Sequence, residues 1–337
     1  MDLSNITFKP LLDTLRLEDI SDEEYFSEKF SDYISNSRLK LINPEEGGSP
    51  ELFFEIRPKF SSPSLLFGSA VHGLTLQEES YEIVETVNRP TAKAGEIADL
   101  IYDGSGKMPD DSVILDACAK ADYYKGNPTD NQMIKLKNSI SDYLKSRALF
   151  ESQYDGTREL IFLDEKSRER LHSCLLAIED NKKIQELLHP VGLNEQPLIG
   201  GNEKTILLDV EASVPDKEPI VLRLKSKLDN YSIDTFENTI CVNDLKTTGD
   251  MVNKFSDAID KYHYYRELAM YSYMLSHCAK KFYNMDNISS TGNFLVVSTV
   301  PQYYTKVVPF TTTLLKRGFE EFKYLLRLVA YYKFYGY

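Results

Sequence analysis

The sequence predicts an α/β fold: a central mixed β-sheet flanked by helices, with a mainly helical insertion ahead of the sheet. Three observations predict it. Thr205–Ser213, Ile220–Asp229 and Thr239–Leu245 follow one another as apolar or alternating runs of strand length. After them, helix and strand alternate: a tyrosine-rich helical stretch Lys254–Lys280, strands at Asn293–Val300 and Tyr304–Pro309, and a closing helix Thr311–Tyr332. Before them, residues 86–200 carry apolar side chains at three-to-four spacing, which marks helices over Ala92–Tyr102, Ser112–Tyr124, Asn131–Ser146 and Ser167–Leu188.

The remaining elements lie nearer the N-terminus. Residues 1–30 are acidic and polar, and read as a helix or a loosely attached arm, with one folded domain from residue 31 to 337. Ser37–Asn43 reads as a short helix, followed by the turn NPEEGGSP and the aromatic segment Glu51–Ile56. Ser61–Ser64 is expected to be a loop. In Leu65–Gln77 the apolar residues Leu66, Ala70 and Leu74 recur every four positions, predicting a helix.

Composition narrows the class. Apolar residues make up 42% of 337 and charged residues 27%, the profile of a soluble folded chain. No apolar run approaches the ~20 residues of a membrane span, and no segment reads as a signal peptide. Cys118, Cys174, Cys241 and Cys278 form no CxxC pair, against both structural zinc and a disulfide framework; the cytoplasm is the expected compartment. The net charge of -13 is unfavourable for a nucleic-acid partner. Much of that acidity, however, sits in Glu18–Glu28, Asp99–Asp122 and Asp209–Glu218, whereas Arg223, Lys225, Lys227 and Lys246 cluster in one stretch. With no tryptophan, any base stacking falls to tyrosine, phenylalanine or histidine.

The chemistry concentrates in ICVNDLKTT, residues 240–248. In an extended strand Asp244 and Lys246 share a face while Leu245 turns inward. Asp229 ends the preceding strand. Two carboxylates and an ammonium are the minimum set for metal-assisted phosphodiester hydrolysis. Each also has a plain alternative: Asp229 as a turn residue in DNYSID, Asp244 and Lys246 as a surface ion pair. His72, in SAVHGL, is either a packing histidine or a nitrogen ligand. Glu211 shares a strand face with Asp209 and is the better candidate for a metal-coupled acid. Glu267 and Tyr271 lie one helical turn apart, in a stretch where packing is the default.

In this order the motifs resemble the PD-(D/E)XK nuclease superfamily, and more closely the RecE-like exonucleases of exonuclease VIII type from phage and prophage recombination modules. ISNSRLKLI with SPELF resembles the opening elements of that family. LLFGSAVHGLTLQ resembles its G-[ST]-x-x-H helix, LKSKLDNY its G-x-x-D segment, and NDLKTT its D-x-K-T-T. NFLVVSTVPQYYTKVVPF is similar to the strand pair before its last helix. Ser226 replaces a glycine of the pattern, and Glu267–Tyr271 replaces its Q-x-x-x-Y.

The resemblance implies a restriction-endonuclease-like core and a Mg²⁺-dependent exodeoxyribonuclease, with Mn²⁺ able to substitute. It implies metal ligation by His72, Asp229, Asp244 and the Leu245 carbonyl, with Glu211 holding metal-bound water. Lys246 would position the attacking water. DNA contacts would come from Tyr271, Arg266 and Glu267, joined by Lys225 and Lys227. The implied substrate is linear double-stranded DNA, degraded on one strand from 5′ to 3′ for recombination by strand annealing. A homo-oligomer, a single-strand annealing protein as partner, and the cytoplasm of a bacterium or phage host belong to the same expectation. An endonuclease or end-trimming nuclease of the same fold, or a catalytically weak DNA-end-binding module, are the alternatives.

Overall fold

Residues 214–219, VPDKEP, reverse the chain between its two longest strands, and everything around the candidate site is built on that hairpin. A computed structural model describes residues 3–55, 63–192 and 198–336. Among these are eight strands: β1 (Thr7–Glu18), β2 (Tyr81–Ile83), β3 (Glu159–Ile161), β4 (Ile199–Ser213), β5 (Ile220–Asp234), β6 (Thr239–Thr248), β7 (Ser289–Ser298) and β8 (Thr305–Pro309). The chain divides into two units, Met1–Pro58 with Ala177–Tyr337, and Lys59–Leu176.

The first unit is an α/β structure around a six-stranded mixed sheet ordered β1-β4-β5-β6-β7-β8. All neighbours are antiparallel except β6 and β7. A parallel pair needs a long crossover, which the helices Phe255–Lys261 and Tyr264–Tyr283 supply. The second of these buries Leu268, Met270, Met274 and Leu275 in one core with Leu224, Leu228, Val242 and Phe294 of the sheet. The last helix, Thr312–Tyr335, buries Phe322, Leu325 and Val329 in that same core.

Two readings of these elements are corrected. Residues 1–30 are not chiefly a helix or a loose arm: residues 7–18 form β1, paired with β4 from Thr7↔Ser213 to Glu18↔Thr205, and α-helix is confined to Asp22–Tyr25. As an edge strand β1 tolerates Pro10 and outward polar residues, so its pattern was diluted by the acids that follow it. The expected helix Ser167–Leu188 is two helices, Glu165–Glu179 and Lys182–Leu188. Asn181 breaks it by capping the second, its Oδ1 accepting from the Ile184 N–H at 3.2 Å.

The second unit is helical, with Ala92–Ile101, Asp111–Lys120 and Asp130–Gln153 enclosing Ile97, Ile114, Leu136 and Ile140. Thr129 and Gln132 close a capping box on the longest of these. Strands β2 and β3 pair in parallel. Of the expected loop Ser61–Ser64, residues 61 and 62 lie outside the described residues, as does position 56; Pro63 opens the helix Pro63–Leu76. Among the described residues no helix is long and apolar enough to cross a membrane.

Candidate metal centre

Strands β5 and β6 pair from Asp234↔Thr239 to Asn230↔Asn243, and there the ladder stops. Asp229 and Asp244 are the first residues beyond it, so both acids lie within long strands rather than at strand ends. The fork strips backbone groups of their cross-strand partners, and these need replacements. Asp229 supplies one: its Oδ2 accepts from the Leu245 N–H at 2.7 Å.

The fork is held by four asparagines in register across four strands. Asn293 on β7 donates to Asn243 on β6, Asn243 to Asn230 on β5, and Asn230 to Asn202 on β4, each at 2.8 Å. The amides of Asn243 and Asn230 also bond the last carbonyls of helix Lys182–Leu188, at Leu187 (3.1 Å) and Leu188 (3.2 Å). Three ladder residues each adjoin an acid in sequence: Glu203, Asp229 and Asp244. The acids belong to a second polar group, against helix Tyr264–Tyr283.

There Lys246 is central. Its ammonium donates to Asp244 Oδ1 at 3.0 Å, stands 2.8 Å from Oδ2, and pairs with Glu267 Oε2 at 3.2 Å. It also lies 4.9 Å from the centre of the Tyr264 ring. Tyr271 donates its hydroxyl to Glu267 Oε1 at 3.0 Å. Asp244 is 1% exposed, and its Oδ2, despite the nearby charge, accepts no hydrogen bond.

Electrostatics separate the acids. Burial pushes both Asp229 and Asp244 well above the ordinary carboxylate range; Lys246 pulls each back only in part, and Glu267 adds repulsion. Burial acts on Glu267 in the same direction, but the Lys246 ammonium and the bonds from Lys246 and Tyr271 outweigh it, so Glu267 stays below its usual value. Lys246 is desolvated too, yet the three surrounding carboxylates hold it firmly protonated.

The acid that completes this group is Glu203, not Glu211. Glu203 brings a carboxylate oxygen within 4.8 Å of one on Asp229 and pairs with Lys227 at 3.1 Å. It has φ +54° between the pairs Asn202↔Asn230 and Lys204↔Leu228, a left-handed turn of backbone within β4. Glu211 lies eight residues further along β4, opposite Val221, roughly 26 Å of extended strand from Glu203. It stands near the hairpin's closed end, whereas Asp229 stands near the open one. The GGN run before Glu203 suits irregular strand but does not say which acid meets Asp229.

Several residues expected to contact DNA are occupied inside the protein. Lys225 is buried, donating to the Tyr25 carbonyl at 2.6 Å. Lys227 pairs with Asp22 at 2.5 Å as well as with Glu203. Arg266 is 1% exposed. Its Nη1 lies 2.6 Å from both Glu46 and Glu321, and its Nε donates to Asn36 at 2.8 Å. His263 bonds the same Glu321 at 2.8 Å. Glu46, His263 and Glu321 could together offer ligand atoms to a cation, but the guanidinium already balances the two acids. That network fixes the first turn of the helix bearing Glu267. Glu267 and Tyr271, expected to contact DNA, are engaged instead with Lys246 and with each other. His72 stands half-buried on helix Pro63–Leu76 in the second unit.

Glu203, Asp229, Asp244 and Glu267 thus outnumber Lys227 and Lys246, with one buried carboxylate oxygen unbonded. A divalent cation fits that imbalance, and oxygen donors suit Mg²⁺ or Mn²⁺. No family model and no curated protein matches the chain. Among solved structures, one from Eubacterium rectale, described as a "Putative exonuclease", is similar at 11% identity with a TM-score of 0.33. The match covers 80% of this chain and 87% of that one.

Proposed function

We propose that this chain is a divalent-metal-dependent nuclease of the PD-(D/E)XK type, acting on linear duplex DNA as a RecE-like exonuclease. The observation that carries the reading is the convergence of Asp229, Asp244 and Lys246 at the β5–β6 fork, with Asp244 buried against the Lys246 ammonium.

Asp229, Asp244 and Glu203, with the Leu245 carbonyl, would hold Mg²⁺ or Mn²⁺. When bound, the metal supplies Lewis-acid polarisation of the scissile phosphate and a more acidic water. The chain's own groups do the rest. Lys246, protonated and poised by Glu267, donates a hydrogen bond to a phosphoryl oxygen or to the attacking water. Tyr271 keeps Glu267 in place, so the ammonium stays directed at the acids. Burial of Asp244 keeps bulk water from competing there. Degradation of one strand from its 5′ end is the finer part of the proposal and rests on the sequence motifs.

The test is incubation with blunt linear duplex, closed circular duplex and single strands, each with Mg²⁺ and with a chelator. The proposal expects Mg²⁺-dependent loss of the linear duplex alone, abolished in Asp244→Asn. Cutting of the circle would assign an endonuclease instead. No cleavage of any DNA with Mg²⁺ or Mn²⁺ would remove the nuclease reading.

A further inference from the structure

One aromatic side chain away from the Lys246 ammonium, the ring of Tyr262 is open to solvent. The Tyr264 ring lies 4.9 Å from that ammonium, and the Tyr262 ring lies 5.5 Å from the Tyr264 ring, inclined to it by 36°. Tyr264 is packed inward, stacked on Phe255 at 5.9 Å and against Phe294 at 6.1 Å. Tyr262 is 44% exposed. We propose that Tyr262 is the stacking platform for the terminal base of a DNA strand whose phosphodiester reaches Lys246. The proposal rests on the nuclease reading and adds to it the contact that receives a nucleobase.

The backbone is strained where it places this ring. Residues two apart in a continuous helix point to different sides and do not meet. Tyr262 and Tyr264 meet because the helix Phe255–Lys261 ends just before them and His263, between them, is left-handed at φ +53°. A residue with a Cβ adopts that conformation only where its surroundings impose it. Here they do: His263 is buried, with its Nδ1 bonded to Glu321 at 2.8 Å and 2.8 Å from the Tyr265 hydroxyl. A turn enforced for packing alone would cover the ring that it repositions. Instead the inner ring is covered and the outer one is left open.

The setting suits a nucleotide. A base and its phosphate are separated by one sugar, and the Tyr262 ring and Lys246 by one aromatic side chain. Lys261 is exposed, with its ammonium 5.0 Å from the centre of the Tyr262 ring. On its flexible stem that ammonium can pass to a phosphate while a base takes the ring. Of the two acids on the same short helix, Asp260 is paired with Arg317 at 2.5 Å, and Asp257 is matched in charge by Lys254 at the helix start. Stacking needs only the π-face that every base has, so this platform accepts an end of any sequence.

Blunt linear duplex carrying the fluorescent base 2-aminopurine at every strand end, mixed with the full chain in Ca²⁺ so that it is bound without being cut, tests the proposal. Tyr262→Ala should weaken duplex binding by about tenfold, the worth of one stacked base, and Tyr262→Phe by less than about twofold. Because 2-aminopurine brightens when it leaves a stack, the complex with Tyr262→Ala should be brighter than those with the parent chain and with Tyr262→Phe. Position 262 is exposed, so both variants should melt as the parent does. Equal affinity or equal brightness in Tyr262→Ala, with duplex still bound, overturns the platform and leaves the nuclease reading standing. A loss in Tyr262→Phe as large as that in Tyr262→Ala also overturns it, by assigning the contact to the hydroxyl. A parent chain that binds no duplex removes both the platform and the nuclease reading.

Discussion

Asn243 donates to Asn230 across the last paired position of β5 and β6, one residue from Asp244 on one strand and from Asp229 on the other. The amide pair therefore sets the register in which the two acids meet. A slip of one residue would turn every side chain of the strand to the other face and dismantle the centre.

That link gives the first prediction. Asn243→Ala leaves the Asn230 amide oxygen and the Leu187 carbonyl without donors. The expected cost is about 2–4 kcal/mol, a few kcal/mol for two buried acceptors losing their bonds. Mn²⁺ affinity should fall as well, because the acids lose their fixed register. A double-mutant cycle with Asn230→Ala should be clearly sub-additive. Full additivity, or unaltered Mn²⁺ binding in a destabilised protein, would separate the ladder from the centre.

Asp244→Asn should abolish Mn²⁺ binding and reduce cleavage by about 10²-fold or more. Its effect on stability should be small at neutral pH, since the carboxyl is already driven toward its neutral form and Lys246 keeps Glu267. At pH 9 the variant should melt above the parent protein, because the parent then buries one more negative charge. Thermal scans at both pH values check this; a large loss of melting temperature at pH 7 would mean that Asp244 is needed for folding.

The raised carboxyls also set a pH dependence. In the folded protein Asp229 is pushed to about 6 and Asp244 to about 8, both above ordinary carboxylate values. Folding therefore favours their protonated forms. Their contribution to stability is complete below about pH 4 and is lost as pH rises through 6 and then 8. Saturating Mn²⁺, which binds the ionised forms, should flatten that decline. Binding should release protons, seen as a heat that changes with the ionisation enthalpy of the buffer. Equal heats in two such buffers near pH 7 would contradict the assignment.

Lys246→Met should lose cleavage while keeping metal affinity within a few-fold. Without metal the variant leaves Asp244 and Glu267 buried against each other, at a cost of about 3–5 kcal/mol. Saturating Mn²⁺ should raise the variant's stability by a few kcal/mol, about what a ligand well above its Kd contributes. A variant that remains equally unstable with Mn²⁺ would show that the cation sits elsewhere.

Much of this was legible in sequence because the informative patterns are local. The apolar runs of β5 and β6 and the D-L-K triplet follow from strand alternation and need no tertiary information. Glu203 was hidden because its place depends on pairing: β4 crosses β5 antiparallel, and only the register puts Glu203 rather than Glu211 beside Asp229. Lys225 and Arg266 misled for a related reason. Charge in a sequence suggests solvent or phosphate, yet burial assigned these cations to the Tyr25 carbonyl and to Glu46 with Glu321. The four asparagines carry no periodicity of their own, and their meaning appears only once the strands are aligned.

The borders of the six-stranded sheet bear on how copies of this chain can meet. On one side β1 carries Pro10, which has no N–H to offer, and its pairing with β4 shifts between Leu11 and Arg16. On the other, β8 spans only Thr305–Pro309, includes Lys306 and stops at a proline. Both borders are poor templates for a strand from another molecule. Self-association by sheet extension, and the fibrillar aggregation that begins that way, are disfavoured at each end. At this sheet, contact with another copy is left to side-chain surfaces rather than to a lengthened ladder.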